Sequence, residues 1–419
     1  MVGTGSMWSS LRVRNYRLFA GGQIVSLAGT WMQRIAQDWL VLELSHSSPV
    51  ALGMATGLQF TPTLLLSLWG GILADRYDKR RMLVAVQTGM GLCALTLGLL
   101  DVTGAVRLWQ VYVLCVVLGT FSALEVPVRQ SFVSELVGPD QLTNAVGLNS
   151  MTSNTARIVG PSIAGVLITA VGTGWVFLLN AASFVGVLVG LSRMDPSTLF
   201  RSDPVARRRG QLREGLSYVR SRPMLSGVMA LVFVVSLFGI NFAVTLPLLS
   251  RNVFHAGPAA YGLLTTVFAL GSLCGAVVAA RRVGRPRLRT VVGSALVFGV
   301  CETAAGLMPT LVGTGAMLVP TGLAALVFTT AANSSVQLSV EPSMRGRVMG
   351  LYFLLFLGGT PLGAPLLGLL GEHYGGRAPT VVGGACSVLA VVVVAFWLRR
   401  SLARRPERSR IPGGNPLAH

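Results

Sequence analysis

Four ionisable residues interrupt stretches that are otherwise apolar: Arg34 and Asp38 in one run, Arg157 in a second and Glu302 in a third. On insertion scales a charged side chain at the centre of a hydrocarbon layer costs about 2.5–3.5 kcal/mol, so such a residue is either offset by a partner or put to use. Positions four apart share one face of a helix, which places Arg34 beside Asp38. A carboxyl group that moves between an apolar and a charged setting can take up and release a proton. Asp38 is therefore the first candidate proton carrier, with Arg34 and Arg157 as its candidate partners and Glu302 as the next carboxyl in line. The competing reading makes Arg34 and Asp38 a pair that only neutralises itself, with Arg157 a structural partner of Asp38. Trp31, Asn241, Asn333 and Gln337 are candidate cavity residues, although the same types at helical spacing equally serve packing. Glu125 and Arg129 stand one turn apart at the end of another apolar run and read as a lock between helices rather than a substrate site.

No catalytic residue or metal site is expected. The four histidines, His46, His255, His373 and His419, all lie outside the apolar runs, and no HExxH, GxSxG or GxxxxGK[ST] pattern occurs. The five cysteines sit inside apolar runs with no CxxC spacing, which fits small apolar packing and neither a disulfide nor a metal. A membrane-embedded enzyme, an ATP-driven pump and a cofactor-bearing protein are all disfavoured.

The elements that position these charges are membrane spans. Hydrophobic residues make up 52% of the 419 positions and charged residues 12%, with a mean hydropathy of +0.65. Soluble domains carry about 25% charged residues. A spanning helix needs roughly 20 apolar residues, and twelve stretches qualify: 17–44, 49–73, 82–101, 108–128, 143–170, 175–193, 225–249, 259–280, 290–309, 313–337, 347–370 and 379–399. The basic N-terminal residues Arg12, Arg14 and Arg17 followed by an apolar run imitate a signal peptide. That run continues to Leu44 without a cleavage site, so it reads as the first span. The net charge of +19 would suggest nucleic acid in a soluble protein. Here 29 of the 34 basic residues fall in the segments on one side of the spans and only Arg107, Arg251 and Arg377 on the other. That split orients the chain with both termini in the cytoplasm. No nucleic-acid partner is expected; the partners are the bilayer, a small-molecule substrate and protons or another cation, with a monomer favoured.

Residues 194–224 are the longest internal polar stretch, and 213–220 within them read as an amphipathic surface helix. They divide the chain into six-span halves, 1–193 and 225–400, followed by a basic tail, 401–419. The halves echo one another: Gly71 to Arg76 closes span 2 and Gly275 to Arg282 closes span 8 about 204 residues later, and Pro161 and Pro365 share that offset. Repeated halves with the site between them are a common plan of secondary transporters.

The stretch Gly71-Ile-Leu-Ala-Asp75-Arg76-Tyr-Asp78-Lys79-Arg80-Arg81 resembles the signature that the major facilitator superfamily carries after its second span, with Asp78 where that signature often has glycine. Gly147, Ala156, Gly160-Pro161 and Ala164-Gly165 resemble the span 5 pattern of its drug:proton antiporters, with alanine at two of the glycine positions. Trp31-Met32 through Leu44, Val126 to Gln130 and Arg345 to Val348 resemble the enterobactin-exporter-like branch. The exporter signature of span 4 has an arginine where this chain has Cys115, so that residue's relay role does not carry over. The resemblance implies an all-α membrane fold of twelve helices in two pseudo-symmetric bundles and a cavity lined by spans 1, 4, 7 and 10. It further implies a cytoplasmic gate involving Gly71, Asp75, Arg76, Lys79, Arg80, Glu125 and Arg129, and an antiporter motif at Gly147, Gly160, Pro161 and Gly165. The expected function is proton-coupled export of a small amphipathic molecule (a drug, siderophore or secondary metabolite) across the bacterial cytoplasmic membrane. The alternatives are an uptake symporter of the same fold and, further off, a membrane enzyme or receptor.

Overall fold

Proline and glycine set where the helices begin and end. Pro223, Pro258 and Pro342 open helices, where a missing N–H costs nothing. Gly172 and Gly375 close two others at φ of 86° and 84°, a left-handed conformation that side chains resist. These two glycines end spans 5 and 11, six spans apart. The computed structural model describes residues 8–200, 211–281, 284 and 286–403, without the side chains of 67–76, 211–213 and 401–403. The side chains of Gly71, Asp75 and Arg76 and the tail from residue 404 thus lie outside the described residues.

The spans are Arg14–Leu44 (span 1), Pro49–Arg76 (2), Lys79–Val102 (3), 108–137 (4), 139–171 (5), Thr173–Ser192 (6), 223–253 (7), Pro258–Ala280 (8), Leu288–Leu307 (9), Leu311–Ser339 (10), Pro342–Tyr374 (11) and Ala378–Ala403 (12). Among the described residues there is no strand. Ten stretches are long and apolar enough to cross a membrane by length and composition. Span 1 falls outside those ten because Gln23, Gln33, Arg34, Gln37, Asp38 and Glu43 lower its hydropathy. Spans 4 and 5 count once, because they abut without a loop; a single residue, Gly138 at φ 68°, turns the chain, and Pro139 starts the next helix. That gives the twelve expected spans. The expected loop at 129–142 is instead helical on both sides of Gly138.

Span 7 is broken. It runs as an α-helix from Pro223–Val234, widens to a π turn over Val235–Gly239, loses helical dihedrals at Ile240 and Asn241 and resumes as Phe242–Leu248. Backbone groups freed inside a bilayer need new partners. The Asn241 side chain supplies one, donating to the carbonyls of Ser236 at 3.1 Å and Leu237 at 2.8 Å.

Small residues let the helices approach, and their contacts repeat with a six-span offset. Span 3 packs on span 6 and span 9 on span 12. Gly119 of span 4 faces the Gln59 carbonyl of span 2, as Gly322 of span 10 faces the Phe268 carbonyl of span 8. Gly160 of span 5 lies on Trp31 of span 1, as Gly363 of span 11 lies on Leu237 of span 7. Between the halves, span 5 meets span 8 and span 2 meets span 11, a pair of contacts related by the same offset. The amphipathic segment forms a helix, Gln211–Arg220, against the start of span 11, where Glu214 pairs with Arg347 at 2.5 Å.

Candidate functional site

Between the halves lies a cavity of about 460 Å³. Span 1 contributes Trp31, Arg34, Ile35 and Asp38, and span 2 contributes Thr56, Gln59 and Phe60. Arg157 comes from span 5, Ile240, Phe242 and Ala243 from span 7, and Tyr261, Thr265 and Phe268 from span 8, with span 10 and Phe356 of span 11 completing the wall. The expected lining by spans 1, 7 and 10 holds. Span 4 contributes no lining residue, because Cys115 and Gly119 pack directly against their neighbours.

Three of the charges expected to act together meet at this cavity, but not as an ion pair. Asp38 is buried and accepts a hydrogen bond of 2.6 Å from the hydroxyl of Tyr261, across the interface between the halves. Neither Arg34 nor Arg157 comes within the 4.0 Å of an ion pair with Asp38. Both guanidinium groups instead lie against the Trp31 ring, at 4.7 Å and 5.6 Å from its centroid. This corrects both the self-neutralising Arg34–Asp38 pair and the Arg157–Asp38 pair. The ring quadrupole of an aromatic face attracts a cation, and Trp31 offers that face to both groups. Tyr261 was not singled out from the sequence. Its signal was a hydroxyl-bearing aromatic in the first turn of an apolar span, but nothing in the sequence matches its depth to that of a residue 223 positions away.

The other candidates separate. Asn241 is 1% exposed and closes the break in span 7 instead of lining the cavity, because its amide is taken by freed carbonyls. Asn333 and Gln337 lie one to two turns beyond the cavity on span 10, half-buried and exposed respectively. Glu302 is fully buried, away from the cavity, between spans 9, 7 and 12.

The described gate residues tie the N-terminal half together. Arg80 donates to the carbonyls of Leu191 and Ser192 at the end of span 6, at 2.7 and 3.1 Å. Lys79 pairs with Glu135. Arg129 pairs with Glu125 at 2.7 Å and donates to Asn149 of span 5 at 3.1 Å, so this lock joins spans 4 and 5. Breaking a buried pair from one side costs about 3–5 kcal/mol. Glu125→Gln is therefore expected to lower the thermal midpoint of the purified protein, and an unchanged midpoint would count against the lock.

The span 5 motif packs in two directions. A methyl on Gly160 would lie 2.6 Å from Cβ of Trp31, and one on Gly165 2.9 Å from the Ala259 backbone of span 8. The Pro161 carbonyl faces Gly262, and Ser162 and Thr266 share a hydrogen bond of 2.7 Å. Gly147 departs from the expectation of close packing: a methyl there meets nothing within 4 Å. Gly346 and Gly350 of span 11 face similarly open space.

Further contacts join the two halves at one end. At the end away from residues 8 and 403, Arg251 donates to the Ser47 hydroxyl at 2.7 Å and lies 4.9 Å from the centroid of the Trp39 ring. Asn252 donates to the Ser47 carbonyl at 2.9 Å, and Ser48 to Glu372 at 3.1 Å. His46 and Ser47 hold left-handed backbone in that turn, at φ of 52° and 67°.

The comparisons agree on the class of protein. The sequence profile described as transmembrane secretion effector matches residues 5–410. The chain is 25% identical over 403 residues to the staphyloferrin A transporter of Staphylococcus aureus (strain NCTC 8325 / PS 47), covering 94% of this chain and 98% of that one. It is 26% identical over 403 residues to the enterobactin exporter EntS of Citrobacter koseri (strain ATCC BAA-895 / CDC 4225-83 / SGSC4696), covering 94% of each. Its fold is similar to that of a bacterial homolog of the human lysosomal transporter Spinster, solved inward-facing and unoccupied. There the TM-score is 0.73 at 17% identity, over 93% of this chain and 98% of that one. The nucleoside transporter NupG is similar at TM-score 0.72 and 11% identity, over 92% and 99%. The chain belongs to the transmembrane secretion effector family of the major facilitator superfamily: it is a multi-pass membrane transporter and not an enzyme.

Proposed function

We propose that this transporter is a proton-coupled exporter of a small amphipathic molecule, working by alternating access in the bacterial cytoplasmic membrane. The observation that carries the reading is the hydrogen bond between Asp38 and Tyr261, which joins the two halves at the wall of the cavity. When the halves rock, that bond must break, and the setting of Asp38 changes with it. A carboxyl whose hydration and partners alternate with conformation binds and releases a proton once per cycle. Arg34 and Arg157 supply positive charge beside Asp38, while Phe60, Phe242 and Phe268 offer apolar faces. This wall suits an amphipathic molecule, in the class of a siderophore or other secondary metabolite. The names of the staphyloferrin A transporter and the enterobactin exporter favour that class. Substrate and proton would then compete for the cavity at Asp38, the simplest antiport scheme.

In this reading the halves 1–193 and 225–400 move against one another about the linker 194–224, and the chain acts as a monomer. The 29-to-3 split of basic residues argues that both termini are cytoplasmic. The joined end is then the outer one, and the conformation faces inward. Reporter fusions at Ser47 and Thr173 are expected outside the cytoplasm, and fusions at Asp203 and Gly413 inside. A fusion at Asp203 that reports outside defeats the orientation.

Export direction is supported by the span 5 motif, in which Pro161 and Gly165 meet span 8. An uptake symporter of the same fold is the competing reading. Everted vesicles with an acid lumen, offered a panel of siderophores, dyes and antibiotics, separate the two. Accumulation abolished by a protonophore is expected. Accumulation that survives the protonophore and follows a sodium gradient would contradict proton coupling.

A further inference from the structure

Glu302 is the buried carboxyl group that the cavity does not use. It is 0% exposed, and neither of its carboxylate oxygens has a hydrogen-bond partner. Its surroundings are backbone and hydroxyl groups. A methyl on Gly239, at the end of the π turn of span 7, would lie 3.1 Å from Oε2, and one on Gly383 of span 12 would lie 3.3 Å from Oε1. Ser387 is buried on the same face of span 12, with its hydroxyl given to the Gly383 carbonyl at 2.9 Å.

The packed elements bring no counter-charge. Span 7 holds one charged residue, Arg251, which is at its far end in contact with Ser47 and Trp39. Span 10 has no titratable residue at all. Span 12 brings the thiol of Cys386, and its Arg399 and Arg400 stand at the opposite end of the helix. Arg377, just before span 12, is occupied by the carbonyls of Gly306 and Met308 at 2.9 and 2.6 Å. An ionised carboxylate without a partner in such a place is strongly disfavoured, and a bound proton is the simplest way to remove its charge.

The location also offers that proton a route. The broken turn of span 7 is the wall between Glu302 and the cavity: Gly239 faces Glu302, and the next residue, Ile240, lines the cavity. Phe298, one turn along span 9 from Glu302, meets the cavity residue Phe242 edge-on at 6.3 Å. The break is held by the two hydrogen bonds of Asn241 and not by a continuous helix. π turns and breaks of this kind recur at functional positions of membrane helices.

We infer that Glu302 is a second proton-binding site, carried in the C-terminal half and separated from the substrate cavity by the broken turn of span 7. The ligand is a proton, held as the carboxylic acid in the conformation seen here and exchanged when span 7 rearranges. This deepens the proton-coupled reading, because it gives each half one protonatable carboxyl, but it does not depend on Asp38.

Infrared difference spectroscopy of the whole transporter in lipid, across pH and with or without sodium, tests it without any transport measurement. The expected result is a carbonyl band of a protonated carboxylic acid that bleaches as pH rises while the protein stays folded. That band should be absent in Glu302→Gln, which keeps the shape and neutrality of the acid, and retained in Asp38→Asn. Identical spectra for the wild type and Glu302→Gln would overturn the inference. So would a band that never bleaches, which would make the proton a permanent filler, or one bleached by sodium alone, which would make the site a metal-cation site. A Glu302 band that persists in Asp38→Asn leaves this site standing whatever becomes of coupling at Asp38.

Discussion

Asp38→Asn is expected to reduce proton-driven accumulation to the level of vesicles without the protein, while substrate binding remains measurable. Asparagine is nearly the same size as aspartate and keeps an oxygen that can accept from Tyr261, so the contact of 2.6 Å between the halves can persist. The change removes only the group that titrates. The apolar faces of Phe60, Phe242 and Phe268 that would receive the substrate are unchanged. Binding and exchange down a substrate gradient should therefore survive in the variant, whereas uphill transport should not. Tyr261→Phe is expected to produce a partial version. A hydrogen bond to a charged group contributes about 1.5–3 kcal/mol, so its loss should disfavour this conformation roughly tenfold or more and uncouple part of the transport. Uphill accumulation by Asp38→Asn at the wild-type level would remove Asp38 from the coupling role.

Gly262→Leu is expected to drive the transporter away from the conformation described here. In this conformation the α-carbon of Gly262 faces the carbonyl of Pro161, and an added methyl would also lie 3.1 Å from the α-carbon of Gly165. No rotamer relieves a clash with backbone, so spans 5 and 8 must separate. Overpacking of this kind costs about 1–3 kcal/mol, which shifts an equilibrium roughly 5- to 150-fold. A conformation in which spans 5 and 8 separate should be populated in its place. The measurement is labelling of Thr265→Cys, on the cavity wall, by a membrane-impermeant maleimide applied to intact cells. Labelling should rise sharply in Gly262→Leu and modestly in Gly262→Ala. Labelling unchanged in both variants would mean that the span 5–span 8 contact does not seal the cavity.

The fold was legible in the sequence because a bilayer leaves few choices. Runs of apolar residues of fixed length, separated by basic islands, specify spans and their order, and ten of the twelve helices are separately delimited by loops or turns at nearly the expected positions. The sequence did not reveal the direct joining of spans 4 and 5 at Gly138 or the break in span 7. Residues 129–142 contain charges and a Gly-Pro step that read as a loop, yet the chain is helical on both sides of one glycine. In span 7, Ser-Leu-Phe-Gly-Ile-Asn is apolar enough to pass as regular helix, and the break lies where Gly359 and Gly363 of span 11 pack against Ser236 and Leu237.

The site was legible in part. Intramembrane charge singled out Arg34, Asp38 and Arg157, since each has a cost that structure must offset, and the three line one cavity together with Trp31. Their pairing was not readable, because the partner that counts, Tyr261, lies in the other half. Asn241 shows the converse limit: an amide in a membrane span can serve a ligand or the chain's own backbone, and only the local dihedrals decide which.

The central claim is that substrate and proton exchange at Asp38. It is tested most directly by proton release from the purified transporter on addition of a bound siderophore-class substrate in weakly buffered solution. Release by the wild type is expected, with none by Asp38→Asn and binding of the substrate by both. Proton release from Asp38→Asn equal to that of the wild type would contradict it.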